Sequence, residues 1–262
     1  MNIVEINDLS FQYGSDSNFK LSIKNWSATK GSFVSIIGPN GCGKSTLLKL
    51  LAGIHIPISG SIVINGKRIE EIKRKNYSKY ISYVPQSVVS VFPFTVHEIV
   101  MMGRTPYLNL MGFEKKEDNI IVDEALELLE LTGMRNKGIN EISGGELQRV
   151  FIARALAQKA DIILLDEPNS HLDLQHQIII FELLAKLAEQ NNLTVLSVSH
   201  DLNMVGIYSH EVVFMNSGTF QIIGDKKQIF TKENIRKVFN VNAEVFSSQN
   251  NYSANVLIEP QK

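Results

Sequence analysis

The 262 residues could bury the core of one large α/β domain or two modest ones. Lys plus Arg number 26 and Asp plus Glu 27, a net charge of −1, so the chain has no overall electrostatic pull toward nucleic acid or an anionic membrane surface. A single cysteine, Cys42, suits a reducing compartment, and neither a secretory signal nor a run of about 18 apolar residues is present, which predicts a soluble, cytoplasmic chain that serves a membrane only through a partner.

In chain order, residues 3–13 and 19–29 alternate apolar and polar positions, as half-buried antiparallel strands do. Phe33 to Ile37 is a continuous apolar run ending in a glycine-rich turn, and Ser45 to Ala52 reads as a helix stopped by Gly53. Ile62 to Ile64 meets an Asn65-Gly66 hairpin signal, and Tyr80 to Val84 is a short strand closed by Pro85. From about 87 to 145 β-type runs disappear, and Ile120, Ile121, Ala125, Leu128 and Leu129 fall at helical spacing. Strands return at Ile162 to Leu165 and Thr194 to Val198, separated by a helix around 175–190. Strands alternating with helices predict an α/β fold with a mostly parallel, doubly covered sheet. The expected parts are a core from residues 1–86 and 146–225, a helical subdomain over 87–145, and a C-terminal tail of short helices and strands over 226–262.

Gly38-Pro39-Asn40-Gly41-Cys42-Gly43-Lys44-Ser45 matches G-x-x-x-x-G-K-[ST] and sits between a strand and a helix. Its glycines let backbone N–H groups turn inward around phosphate oxygens, and the positive end of the following helix, through Thr46, adds attraction. Lys44 is expected to reach the β- and γ-phosphates, and the Ser45 hydroxyl to bind Mg²⁺.

Ile162-Ile163-Leu164-Leu165-Asp166-Glu167 delivers two adjacent carboxylates from a buried strand to the sheet edge where ligands bind in such folds. Asp166 would help hold Mg²⁺; Glu167, diverging from its neighbour, can orient and polarise an attacking water.

Ser143-Gly144-Gly145-Glu146 opens a helical stretch from Leu147 to about Gln158, and Ser143 and Glu146 have the spacing of a capping box. Capping needs no glycines, and two in a first turn cost roughly 1 kcal/mol each relative to alanine. They make sense where something approaches the backbone closely, so this helix start is a second anion site. One nucleotide does not need two such sites from one chain. The economical inference is a nucleotide shared between two copies.

On these residues the chain resembles the ATPase subunits of ABC transporters over nearly its whole length. The resemblance implies a P-loop NTPase (RecA-like) core with an N-terminal antiparallel β subdomain and a helical insertion, ATP and Mg²⁺ as ligands, and a dimer sandwiching two ATPs. It makes Tyr13 the aromatic that stacks on adenine, and Gln86 the residue that couples Mg²⁺ and the attacking water to the membrane partner. Ile142 to Glu146 with Leu147-Gln148-Arg149 is similar to the family signature, Ile142 standing where leucine is usual. Ser170-His171-Leu172-Asp173 looks like the loop after the carboxylates, and His200 like the switch histidine on the γ-phosphate.

The stretch Phe92-Pro93-Phe94-Thr95-Val96 through Glu98 to Tyr107 is similar to importers of metal chelates such as siderophores, haem and cobalamin. That branch implies integral-membrane permease subunits as partners, a substrate-binding protein acting indirectly, and a position on the inner face of the cell membrane. The aromatics and methionines of 92–107 suit a groove that receives a short permease helix, or alternatively the core of the insertion. A separate-chain exporter and a soluble non-transport ATPase remain as alternatives; the chain carries neither the long heptad runs nor the zinc cysteines of the latter. Cys42, at a helix N-terminus, is expected to have a lowered pKa and to react readily.

Overall fold

The computed structural model describes residues 1–14, 18–87, 92–108, 112–170, 172–247 and 254–259. Strand β1 (Asn2–Gln12) alternates as expected and buries Val4, Ile6, Leu9 and Phe11. The segment 19–29 is two strands rather than one, β2 (Lys20–Ile23) and β3 (Trp26–Thr29), both antiparallel to β1 along one of its edges. The break falls at Lys24-Asn25, where two polar residues in succession interrupt the alternation.

Strand β4 (Phe33–Ile37) is buried at all five positions, as a strand covered on both faces must be. It leads through the glycine-rich loop into α1 (Lys44–Leu51). Strand β5 (Ser59–Ile64) returns along the other edge of β1, and Asn65 (φ 53°) and Gly66 (φ 76°) turn it into β6 (Lys67–Arg68). Positive φ at both central residues is the two-residue hairpin turn that Asn-Gly predicts. Helix α2 (Arg74–Tyr80) follows, so β7 (Ile81–Val84) starts one residue later than the sequence reading placed it.

Between β7 and β8 the described residues form α3 (Val96–Met101), a 3₁₀ turn over Met102–Tyr107, α4 (Lys116–Leu128), a short 3₁₀ turn over Thr132–Met134 and α5 (Gly144–Ala157), the last running past residue 145, where the helical stretch is expected to end. Thr95 opens α3 with a full capping box to Glu98. Of the stretch 92–107, Ile99, Val100 and Met101 face the core, whereas Phe92 and Met102 are exposed. The expected apolar surface is therefore only half of that segment. Its inner half is tied down by Arg104, whose guanidinium donates to Asp118 Oδ1 at 2.9 Å and to the Ala157 carbonyl at 2.8 Å, with both charged side chains buried.

Strand β8 (Ile162–Asp166), α6 (Leu174–Asn191), β9 (Thr194–Val198), α7 (Leu202–Tyr208), β10 (Glu211–Asn216) and β11 (Thr219–Asp225) complete the core. The second sheet runs β11-β10-β4-β9-β8-β7, parallel throughout except for the antiparallel edge strand β11. Helices α8 (Lys226–Ile229) and α9 (Lys232–Phe239) and the hairpin β12 (Ala243–Ser247) with β13 (Ala254–Ile258) form the C-terminal part, packed on Val205, Val212 and Phe214.

Parallel pairing fixes where chemistry collects. Ile36 pairs with Val198, Asp166 with Val198, and Val84 with Leu165. The chain leaving β4, β8, β9 and β7 therefore emerges along one edge of the sheet, the carboxyl edge at which open α/β sheets bind ligands.

Candidate functional site

A cleft of about 610 Å³ lies at that edge, lined by Tyr13, Phe19, Asn40, Gly41, Gly43, Lys44, Ser45, Thr46, Gln86, Glu167 and His200. Strand β4 supplies the loop, β8 the carboxylates, β9 the histidine and β7 the glutamine. Residues as far apart in the chain as Tyr13 and His200 thus share one cavity.

Within the loop the glycines have different reasons. A Cβ on Gly38 would sit 1.9 Å from the Met215 carbonyl oxygen, so Gly38 is required by the neighbouring strand β10 rather than by a phosphate. Gly43 has φ 106° and would press a Cβ to 2.6 Å from the Phe19 ring. Gly41 has φ 75° with open space around it, so its demand is conformational. Lys44 is buried, and its ammonium donates to the carbonyls of Gly38 (2.8 Å) and Pro39 (2.9 Å). Burial pulls its pKa down, against the nearby Cys42, Glu167 and Asp166, which favour the cation.

The Ser45 hydroxyl donates to Asp166 Oδ1 at 2.9 Å, and the Tyr83 hydroxyl to Oδ2 at 3.4 Å. Burial raises the Asp166 pKa, an effect the Ser45 hydrogen bond opposes. A hydroxyl that lines the cleft with a carboxylate bonded behind it supplies the hard oxygen donors that Mg²⁺ takes alongside phosphate oxygens and water. The donor set fits that ion.

Glu167 is held in left-handed backbone (φ 52°), a conformation costly for a non-glycine residue. Its carboxylate accepts from Gln86 Nε2 at 2.5 Å through Oε2 and meets His200 Nε2 through Oε1. The three residues that the sequence reading placed in catalysis beside Lys44 are thus directly connected. Tyr13 stands at the rim, 54 % exposed, its hydroxyl hydrogen-bonded to Thr46 Oγ1 at 3.0 Å and its ring edge-on to Phe11 and His55. A tyrosine ring tethered at one end and half exposed at the cleft suits stacking.

Ser143, Gly144, Gly145 and Glu146 lie outside this cleft. They form the capping box of α5: Ser143 Oγ accepts from the Glu146 N–H at 3.2 Å, and Glu146 Oε2 from the Ser143 N–H at 2.6 Å, which holds the Glu146 carboxyl below its usual range. Ser143 and Gly144 are exposed. Of the loop after the carboxylates, Ser170 reaches the Gln86 carbonyl at 3.5 Å and Asp173 caps α6, while His171 lies outside the described residues.

One expectation fails. Cys42 is buried at 4 % exposure and packs with the apolar core under α1. Burial raises its pKa, outweighing Lys44 and the backbone hydrogen bonds at the loop, which lower it. A helix N-terminus activates only a thiol that the solvent can reach. Two further residues stand at the site that no motif points to: Phe19 lines the cleft and Tyr83 bonds Asp166. Tyr83 touches Asp166 only because β7 and β8 are neighbours, which no local pattern announces.

The family model described as ABC transporter matches residues 21–170. The iron(3+)-hydroxamate import ATP-binding protein FhuC of Bacillus subtilis (strain 168) is 37 % identical over 94 % of this chain and 90 % of its own. Among solved structures, a metal-chelate type ABC transporter in an inward-facing conformation aligns with a TM-score of 0.85 at 34 % identity, covering 100 % of this chain and 98 % of that one. The dimeric structure of MJ0796, a bacterial ABC transporter cassette, aligns with a TM-score of 0.75 at 28 % identity, covering 85 % and 98 %. With its glycine-rich loop, Glu167, Gln86 and His200 gathered in one cleft and Asp166 beside them, this chain belongs to the ABC transporter family as one of its ATP-binding ATPase subunits.

Proposed function

We propose that the chain powers an importer of an iron chelate, haem, cobalamin or a related metal compound by ATP-dependent closure of a dimer of two of its copies. The observation that carries this reading is a division within one copy. The loop, Glu167, Gln86 and His200 converge on one cleft, with Asp166 bonded to Ser45 beside it, while the Ser143–Glu146 helix start lies outside it with Ser143 and Gly144 exposed. A second copy docked head to tail supplies that missing lid, as the dimeric cassette relative is an assembly of two.

Backbone amides of Asn40 to Thr46 and the Lys44 ammonium hold the phosphates; Tyr13 stacks on the base. Ser45 and Asp166 are the residues that would hold Mg²⁺, which supplies charge neutralisation at the β- and γ-phosphates. Glu167 takes the proton of the attacking water, with Gln86 fixing the carboxylate's orientation and His200 placed to meet the γ-phosphate. Permease subunits dock beside Gln86 and the exposed Phe92 and Met102, which puts the assembled chain on the inner face of the membrane. The iron-hydroxamate importer relative and the metal-chelate transporter support this branch over an exporter. The cargo itself never touches this subunit.

The test is Glu167→Gln with ATP and Mg²⁺. The variant binds ATP, loses turnover by roughly 10²- to 10⁴-fold, the usual worth of a general base, and accumulates as a dimer in light scattering. Near wild-type hydrolysis would remove Glu167 from the mechanism, and a monomer at saturating ATP would remove the dimer.

A further inference from the structure

Helix α7 begins two residues after His200 and has only seven residues. A helix so short has little stability of its own, so its position is set by what it packs against. At its start Asp201 Oδ1 accepts from the N–H groups of Asn203 (2.9 Å) and Met204 (3.0 Å). Asn203 then points its own side-chain oxygen outward, where Oδ1 accepts the backbone N–H of Val256 in β13 at 2.7 Å. At the other end of α7 the Lys226 ammonium donates to the Ile207 carbonyl. Between these two bonds Val205 is fully buried in a cluster with Ile235, Val238 and Val256. Lys226 and β13 thus hold α7 at its last and first turns, and Ile235, Val238 and Val256 cover part of its apolar side, the rest of which, Met204 included, packs on the core.

We infer that the C-terminal hairpin is the brace of the switch histidine, and that Asn203 is the positioning residue through which it acts. His200 sits in the short link between the end of β9 and the start of α7. The β9 end is fixed by pairing to β4 and β8, so the remaining freedom of the link belongs to α7. Holding α7 fixes the angle at which the imidazole meets Glu167 Oε1. Loosening β13 from Asn203 lets α7 rock and widens that contact. The inference rests on the ATPase reading above, and on His200 acting in turnover.

The experiment compares Asn203→Ala and Asn203→Asp in ATP hydrolysis by the purified full chain, with melting temperature and hydrogen exchange of α7 recorded alongside. Aspartate keeps an oxygen at the acceptor position; alanine does not. The expected result for Asn203→Ala is a fall in kcat of roughly 3- to 10-fold, the kinetic equivalent of one hydrogen bond, with KM for ATP within about twofold and faster exchange in α7. Asn203→Asp restores most of kcat. Three results would overturn the inference: unchanged kcat in the alanine variant with only a lower melting temperature, a KM that rises in step with the loss, or an aspartate variant as poor as alanine. Failure is assignable. If wild type hydrolyses ATP, His200→Ala abolishes turnover and Asn203→Ala leaves it intact, the brace alone is wrong; if wild type does not hydrolyse ATP, the ATPase reading itself is wrong.

Discussion

Gln86 donates its side-chain N–H to Glu167 Oε2 at 2.5 Å, joining the end of β7 to the residue that follows β8. The bond is charge-assisted, and Gln86 is the last residue of the cleft before the all-helical stretch between β7 and β8. Gln86→Ala is expected to lower kcat by about 10- to 100-fold, the range for removing a hydrogen bond to a charged group, with ATP affinity within about twofold. Nucleotide titration alongside steady-state hydrolysis checks both numbers. A loss that appears in affinity instead would place Gln86 in binding.

The buried pair Arg104–Asp118 carries a stability prediction. Asp118→Asn leaves the Arg104 guanidinium buried beside a neutral partner, and breaking such a pair costs about 3–5 kcal/mol. Burial pushes the Asp118 carboxyl up, but the Lys115 N–H and the Arg104 guanidinium more than offset it, so the net pKa lies below the ordinary value. The contribution of a carboxylate with a depressed folded pKa is complete above the unfolded value and disappears as pH falls through the folded one. Urea titrations of wild type and Asp118→Asn from pH 7 downward are expected to show a gap that is full at neutral pH and narrows once the pH falls below the ordinary aspartate value. An equal gap at both ends would mean that packing, not charge, makes the difference.

Cys42 gives a negative prediction. Its thiol is buried and its pKa raised by burial, so a water-soluble thiol reagent labels the folded chain slowly, and to the same extent with and without ATP. Unfolding in urea exposes it to full labelling. Fast labelling of the native chain, blocked by ATP, would restore the reactive-thiol expectation.

What could be read before folding follows a simple physical division. Strands β4, β8 and β9 are apolar at nearly every position because both faces are covered, and such runs are visible in any listing of residues. The phosphate loop and Asp166-Glu167 were equally legible, since their chemistry demands residue types at fixed local spacing. Helix α2 was not, because it is a single short stretch whose contact with the core rests on Tyr77 and Tyr80, both only partly buried. The division of 19–29 into two strands depends on both pairing with β1, a long-range fact. Tyr83 on Asp166 and Met215 against Gly38 depend on the order of strands in the sheet. The Cys42 reading erred by weighing a helix terminus without the burial that opposes it.

The account stands on one claim, that each nucleotide is held by one copy's loop and closed over by the other copy's Ser143–Glu146. Lys44→Ala disables the loop, and Ser143→Arg, at an exposed position, blocks the lid. Each variant alone is expected to be inactive. Mixed in equal amounts, they pair at random, and each mixed dimer contains one site with an intact loop from one copy and an intact lid from the other. The mixture is predicted to recover about a quarter of wild-type ATP hydrolysis, half the dimers each carrying one of two sites. A mixture as inactive as its components would contradict the shared site.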